Sequence, residues 1–168
     1  AILGQQVRVA TARTFAQRLV QAFGEPIDTP VAGLDHLFPS AAVLARVPAD
    51  ALGALGLVRQ RQAAVRALAQ AVDSGVLSLH AGADPSSTMH ALCALDGIGP
   101  WTAQYVGMRA LRWPDAFPAG DIALHHALGL RGERAALARA QAWSPWRSYA
   151  VVRAWSGRYV PRLLESTP

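Results

Sequence analysis

Twenty-two residues after the last glycine of Gly97-Ile98-Gly99-Pro100 stands a carboxylate, Asp121, in Phe117-Pro118-Ala119-Gly120-Asp121-Ile122. Two glycines one residue apart let the backbone turn tightly, with positive φ available. The N–H groups of Gly99 and its neighbours then point outward at the start of the next helix, whose positive end attracts a phosphate. Ile98 can plug back between the two helices, and Pro100 suits the first helical position. A Gly-x-Gly alone also fits an ordinary interhelical turn. Asp121, by position alone, is either the N-cap of a helix over 122–128 or a carboxylate with chemistry to do. Trp101 and Tyr105 lie at i and i+4 and so share one helix face, either as core packing or as an aromatic platform.

The elements that must hold these residues read as helices. Residues 2–23 show Val9, Ala12, Ala16, Leu19 and Phe23 at helical spacing, ended by Gly24-Glu25-Pro26. Residues 25–39 read as loop. Ser40 caps a short helix through Arg46, and Pro48-Ala49-Asp50 opens another that Gly53 and Gly56 break. Residues 57–73 place Leu57, Ala64, Val65, Leu68 and Val72 inward, with Arg59, Gln62 and Arg66 outward. Asp84-Pro85 starts a helix to about Ala94. After the glycines another runs to about Arg112, where Trp113-Pro114 stops it. Residues 114–120 are loop, the helix behind Asp121 ends at Gly129, and 132–142 and 146–157 are the last helices. Apolar–polar alternation never exceeds four residues, so the expected fold is all-α.

Charge and composition narrow the partners. All sixteen basic residues are Arg, and the net charge is +5. Arg pairs with phosphate in a bidentate way, so this surface suits nucleic acid; a GC-rich genome explains the same bias. A lone cysteine, Cys93, excludes an intrachain disulfide, an all-cysteine zinc site and a four-cysteine iron–sulfur cluster. It reads as a small buried apolar residue. No apolar run is long enough to span a membrane, and an intracellular setting fits. Ala1-Ile2-Leu3-Gly4 reads as the middle of an element, as in a piece of a longer chain.

Leu95-Asp96-Gly97-Ile98-Gly99-Pro100-Trp101-Thr102-Ala103-Gln104-Tyr105, Trp143-Ser144-Pro145-Trp146-Arg147-Ser148-Tyr149-Ala150 and Ala1-Ile2-Leu3-Gly4-Gln5-Gln6-Val7 occur here in a specific order. Together they resemble the bacterial 3-methyladenine-DNA glycosylase II (AlkA) family, of the helix-hairpin-helix Gly-Pro-Asp superfamily, in register from Ala1 to about Trp155. The resemblance implies a two-lobed helical core with a cleft between the lobes. One lobe would span about 1–113 and hold the hairpin at about 84–112. The other, 114–168, would carry Asp121. The sheet domain that precedes this core in full-length members is absent from the chain.

The resemblance makes Asp121 the catalytic carboxylate, although Pro118-Ala119-Gly120-Asp121 replaces the literal Gly-Pro-Asp. Breaking an N-glycosidic bond puts positive charge on the sugar, which a carboxylate stabilises while it orients or deprotonates water. A base is attacked only after it leaves the stack, and a cationic purine is attracted to electron-rich rings. The resemblance places Trp101, Tyr105 and Trp155 around that base, and packing alone explains the same rings. It makes Gln6 the wedge that fills the vacated stack, where the best-known members have an apolar residue. Gly97, Ile98 and Gly99 would grip DNA, Arg8 and Arg109 would reach phosphate, and Arg112 is a further phosphate candidate. The carbonyls of Cys93, Leu95 and Gly97 would hold a monovalent cation, sodium or potassium, with no other cofactor. With no lysine available for a Schiff base, the expected enzyme is monofunctional and leaves an abasic site. It would act as a monomer on alkylated duplex DNA, cytoplasmic and nucleoid-associated. His125-His126 points two ways and is a poor metal pair, Arg147 reads as half of an ion pair, and Asp96 as a fixer of the turn. Trp113, Trp143 and Trp146 read as structural. A non-catalytic helix-hairpin-helix module, a glycosylase for another lesion and a helical scaffold unrelated to nucleic acid are the alternatives.

Overall fold

The computed structural model describes residues 1–157. Among them are nine α-helices and two 3-10 turns; the only β pairing is an isolated bridge between Pro26 and His36. The all-α expectation holds. The described chain groups into two compact units, residues 1–79 with 86–99, and residues 80–85 with 100–157.

The first unit opens with a 3-10 turn, Ile2–Gly4, then α1 (Val9–Phe23), α2 (Ala41–Arg46), α3 (Ala49–Ala54), α4 (Arg59–Asp73) and all but the first residue of α5 (Pro85–Cys93). α2 and α3 pack on α4, and so does the 3-10 turn. Ser40 caps α2 through the N–H of Val43, as its position before an apolar run predicts. The core takes Leu19, Leu44, Leu52, Leu57, Ala64, Val65 and Leu92.

Two readings of this unit need correction. Residues 2–23 are not one helix: the chain breaks between Gly4 and Val9, where Gln6 takes φ +53°. Val9, the first of the apolar residues at helical spacing, is 69% exposed. Helical periodicity continues through the break because nothing in Gln5-Gln6-Val7 is a helix breaker; at the break Gln5 is bonded to Arg61 and Gly97. Cys93, expected to be buried, is exposed. It ends α5 one residue past the fully buried Leu92, about 100° around the helix from the inward face.

The second unit holds α6 (Pro100–Arg109), α7 (Ile122–Leu128), α8 (Glu133–Ala140), a 3-10 turn at Gln141–Trp143 and α9 (Arg147–Trp155). Met108, Ala116, Phe117, Ala119, Leu124, Ala136, Ala140, Val151 and Ala154 form its core, with Trp113, Trp143 and Trp155 packed against it. Leu124 and Val151 are fully buried, each a side chain whose removal from water is worth about 1.5–3 kcal/mol. α7 ends at Gly129, whose φ of +65° lets its N–H close on the carbonyls of His125 and His126. α6 stops at Arg109 rather than Arg112, and Arg112 itself takes φ +56°. The units change over between Gly99 and Pro100, whereas sequence reading puts the change after residue 113. α6 belongs with the later helices because Met108 enters the second core and Trp101 bonds to Asp121.

Candidate active site

The glycine corner lies in the first unit. Gly97 takes φ +80°, and a Cβ there would sit 2.9 Å from the Cβ of Ala64 and 3.5 Å from the carbonyl oxygen of Gln60. Conformation and space both demand glycine. Gly99 is different: its φ is not positive, and a Cβ would meet nothing within 4 Å. Ile98 between them is 3% exposed, a plug into the protein. The carbonyl of Leu95 accepts from the N–H of Ile98 at 3.0 Å, and that of Gly97 accepts from Gln5 Nε2 at 2.9 Å. Two of the three oxygens assigned to a cation thus already have protein donors.

Asp121 lies in the second unit and is 9% exposed. Its Oδ1 accepts from the N–H of Leu124 at 2.6 Å, so the N-cap reading is right. A cap needs no more, yet two indoles from other helices meet the same carboxylate. Trp101 Nε1 on α6 donates to Oδ2 at 2.7 Å, and Trp155 Nε1 on α9 donates to Oδ1 at 3.0 Å. Among the described residues, all three of its hydrogen-bond partners are N–H donors, suited to a carboxylate acceptor. Tyr105 stacks on Trp101 at 5.4 Å between ring centroids and lies 5.9 Å from Trp155. The three predicted aromatic residues are one cluster about one carboxylate, each half-buried.

The backbone that presents Asp121 is fixed from several sides. The N–H of Phe117 donates to Gln104 Oε1 at 2.9 Å, and the N–H of Asp121 donates to the Pro118 carbonyl at 2.9 Å. His125 Nε2 donates to the Ala119 carbonyl at 2.6 Å. Ser148 Oγ bonds to the carbonyls of Trp113 and Ala116 at 2.7 and 2.9 Å. Arg147 grips Asp115 with Nε and Nη2, both at 2.7 Å, the ion pair expected of it. Hydrogen bonding from that guanidinium, added to by Ser144 and the N–H of Arg147, outweighs partial burial and holds the Asp115 carboxyl below its usual range.

The remaining candidates are dispersed. Gln6 and Arg8 are exposed in the first unit, Arg8 as the N-cap residue of α1, whose first turn has no acidic side chain. Arg109 is exposed in the second, with its guanidinium 5.7 Å from the centre of the Tyr105 ring. Sequence reading missed the supporting residues Gln104, Asp115 and Ser148, and in the first unit Gln5 and Arg61. Arg61 left a usable signal, a polar residue on the Ala64–Val65–Leu68 stripe of α4.

Residues 1–146 match the family described as HhH-GPD superfamily base excision DNA repair protein. A probable bifunctional transcriptional activator/DNA repair enzyme AlkA of Mycobacterium tuberculosis is 42% identical over 160 residues, 93% of this chain and 32% of the relative. DNA-3-methyladenine glycosylase 2 of Escherichia coli is 34% identical over 155 residues, 92% of this chain and 54% of the relative. The chain therefore spans between a third and about half of these proteins. Among solved structures, a 3-methyladenine DNA-glycosylase from Archaeoglobus fulgidus superposes with a TM-score of 0.78 at 20% identity, over 94% of this chain and 56% of that one.

Proposed function

Because the chain belongs to the HhH-GPD superfamily of base excision DNA repair proteins, we propose that it is the helical core of a monofunctional DNA glycosylase that releases alkylated purines from duplex DNA. The observation that carries this reading is the carboxylate of Asp121, held by two indole N–H groups and a backbone N–H inside an aromatic cluster. Relatives named as 3-methyladenine glycosylases support the substrate class.

In this reading the parts divide between grip, wedge, pocket and chemistry. Gly99, with open space where a side chain would be, and the start of α6, with no acidic residue in its first turn, receive a phosphate. Arg8 reaches another, Gln6 enters the stack, and the extruded base lies against Trp101, Tyr105 and Trp155. An alkylated purine already carries positive charge and departs readily. Asp121, fixed by its donors, stabilises the charge left on the sugar and orients the water that attacks it. Arg109, lying over Tyr105, adds positive charge beside the cluster. A monovalent cation at the carbonyls of Cys93, Leu95 and Gly97 would share the Gly97 oxygen with Gln5 through its second lone pair; no step depends on it. No described helix is long and apolar enough to cross a membrane. Action as a monomer on the chromosome, in the cytoplasm, completes the proposal.

Methylated duplex DNA incubated with the protein should yield free 3-methyladenine or 7-methylguanine and an abasic strand. Asp121→Asn should bind the duplex as well as wild type and release base at least about 100-fold more slowly. Borohydride should trap no covalent adduct, since the chain has no lysine. Base release undiminished in Asp121→Asn would remove the carboxylate from the reaction; binding without release by wild type would leave a DNA-gripping module.

A further inference from the structure

Arg61 is a cation 8% exposed on α4. Among the described residues no carboxylate pairs with it. Its Nη2 donates to the main-chain carbonyl of Gln5 at 2.7 Å, its Nε is buried without a hydrogen-bond partner, and its guanidinium lies 5.4 Å from the centre of the Phe15 ring. An apolar side chain on this stripe would cost less to bury. What the arginine holds is the turn between Gly4 and Val9. The side chain of Gln5 continues the link by donating to the Gly97 carbonyl at 2.9 Å. One turn along α4, Ala64 abuts Gly97, with Gln60 beside it. The residue after Gln5, exposed Gln6, has φ +53°, a conformation that a non-glycine residue keeps only where its surroundings impose it. A buried charge, a strained exposed residue and the glycine corner are thus joined by two hydrogen bonds within one unit.

We propose that Arg61 and Gln5 are positioning residues that lock the strained turn bearing Gln6 to the glycine corner. The side chain that enters the duplex and the loop that grips its phosphate then stand at a fixed separation, so that gripping the strand delivers the wedge. This rests on Gln6 being the wedge, as in the proposed function. Neither Arg61 nor Gln5 touches the reacting atoms.

The test compares wild type, Arg61→Met, Gln5→Met and Gln6→Ala, with thermal unfolding as the check on folding. Wedge entry is read as the fluorescence rise of 2-aminopurine beside an abasic-site analogue in duplex DNA, a signal that requires no base release. Single-turnover release of 7-methylguanine is then compared between a duplex and an unpaired bubble, where the base is already out of the stack. Arg61→Met and Gln5→Met should lose the fluorescence rise and slow release from duplex by about tenfold or more, while release from the bubble stays within about twofold of wild type. Equal losses on both substrates, or no loss on duplex, would overturn the proposal. So would a full fluorescence rise with Gln6→Ala, since Gln6 would then not be the wedge. If Arg61→Met fails to fold, Gln5→Met decides, because it keeps the Arg61 bond, which uses the main chain of Gln5, and removes the side-chain bond to Gly97. If wild type gives the fluorescence rise but releases no base, the glycosylase reading falls. The lock is then judged on fluorescence alone: lost in both variants supports it, kept in either overturns it.

Discussion

At the scale of single residues, Asp121 caps α7 and has, in the proposed function, a second role in base release. Capping α7 uses one lone pair of Oδ1, and the indoles of Trp101 and Trp155 use two more. The cap alone would be served as well by serine or asparagine. A negative charge already suits the positive end of α7, but the two indole donors on the same carboxylate are more than a cap requires. Replacing either indole by phenylalanine keeps an aromatic face and deletes one N–H donor. Trp101→Phe and Trp155→Phe should each lower single-turnover base release roughly 10- to 100-fold, the worth of a hydrogen bond to a charged group, with affinity for an abasic-site duplex little changed. Loss of affinity with an unchanged rate for bound DNA would assign the indoles to base binding alone. The residue scale is also where sequence misleads. Cys93 has a buried residue's composition and an exposed position.

At the scale of elements, the segment between α6 and α7 has no regular structure of its own, yet it must deliver Asp121 to a fixed place. Bonds from its neighbours supply the rigidity: Gln104 from α6, His125 from α7, Arg147 and Ser148 from α9. The Asp115–Arg147 pair anchors the near end. Asp115 has its carboxyl depressed by Arg147, so the pair stabilises the fold fully above the ordinary carboxylate value of 3.8 and progressively less as pH falls through the depressed value. Asp115→Asn should therefore cost about 2 kcal/mol at neutral pH, and its deficit against wild type should close as the medium is acidified below the ordinary value. Denaturant unfolding across that range checks both the size and the sign; a deficit that grew on acidification would contradict the assignment.

At the scale of the whole molecule, the net charge of +5 is carried by guanidinium groups alone. Binding to undamaged duplex should therefore be dominated by phosphate contacts. Affinity is expected to fall about 100-fold between roughly 50 and 200 mM salt, as for about four phosphate contacts. A flat salt dependence in a filter-binding or anisotropy titration would point to a scaffold unrelated to nucleic acid. The division of the chain between Gly99 and Pro100 gives the glycine corner to one unit and the carboxylate to the other. Each unit has its own core.

The helical fold, the capped helices behind Ser40 and Asp121, the stop at Gly129 and the glycine corner were legible in the sequence, because each rests on local rules: 3.6-residue periodicity, side chains that cap within three residues, and backbone angles that favour glycine. Asp121 and its aromatic neighbours were singled out by the resemblance of three motifs to a known family, not by a local rule. Tertiary structure alone decided the break between Gly4 and Val9, the hand-over of α6 to the second unit, and the bonds of Arg61, Gln5, Gln104 and Ser148. These join residues 13 to 92 positions apart, and hydrogen bonds across such separations leave no periodic trace in a sequence. They exist only once the packing of helices has brought a donor and an acceptor within about 3 Å of each other.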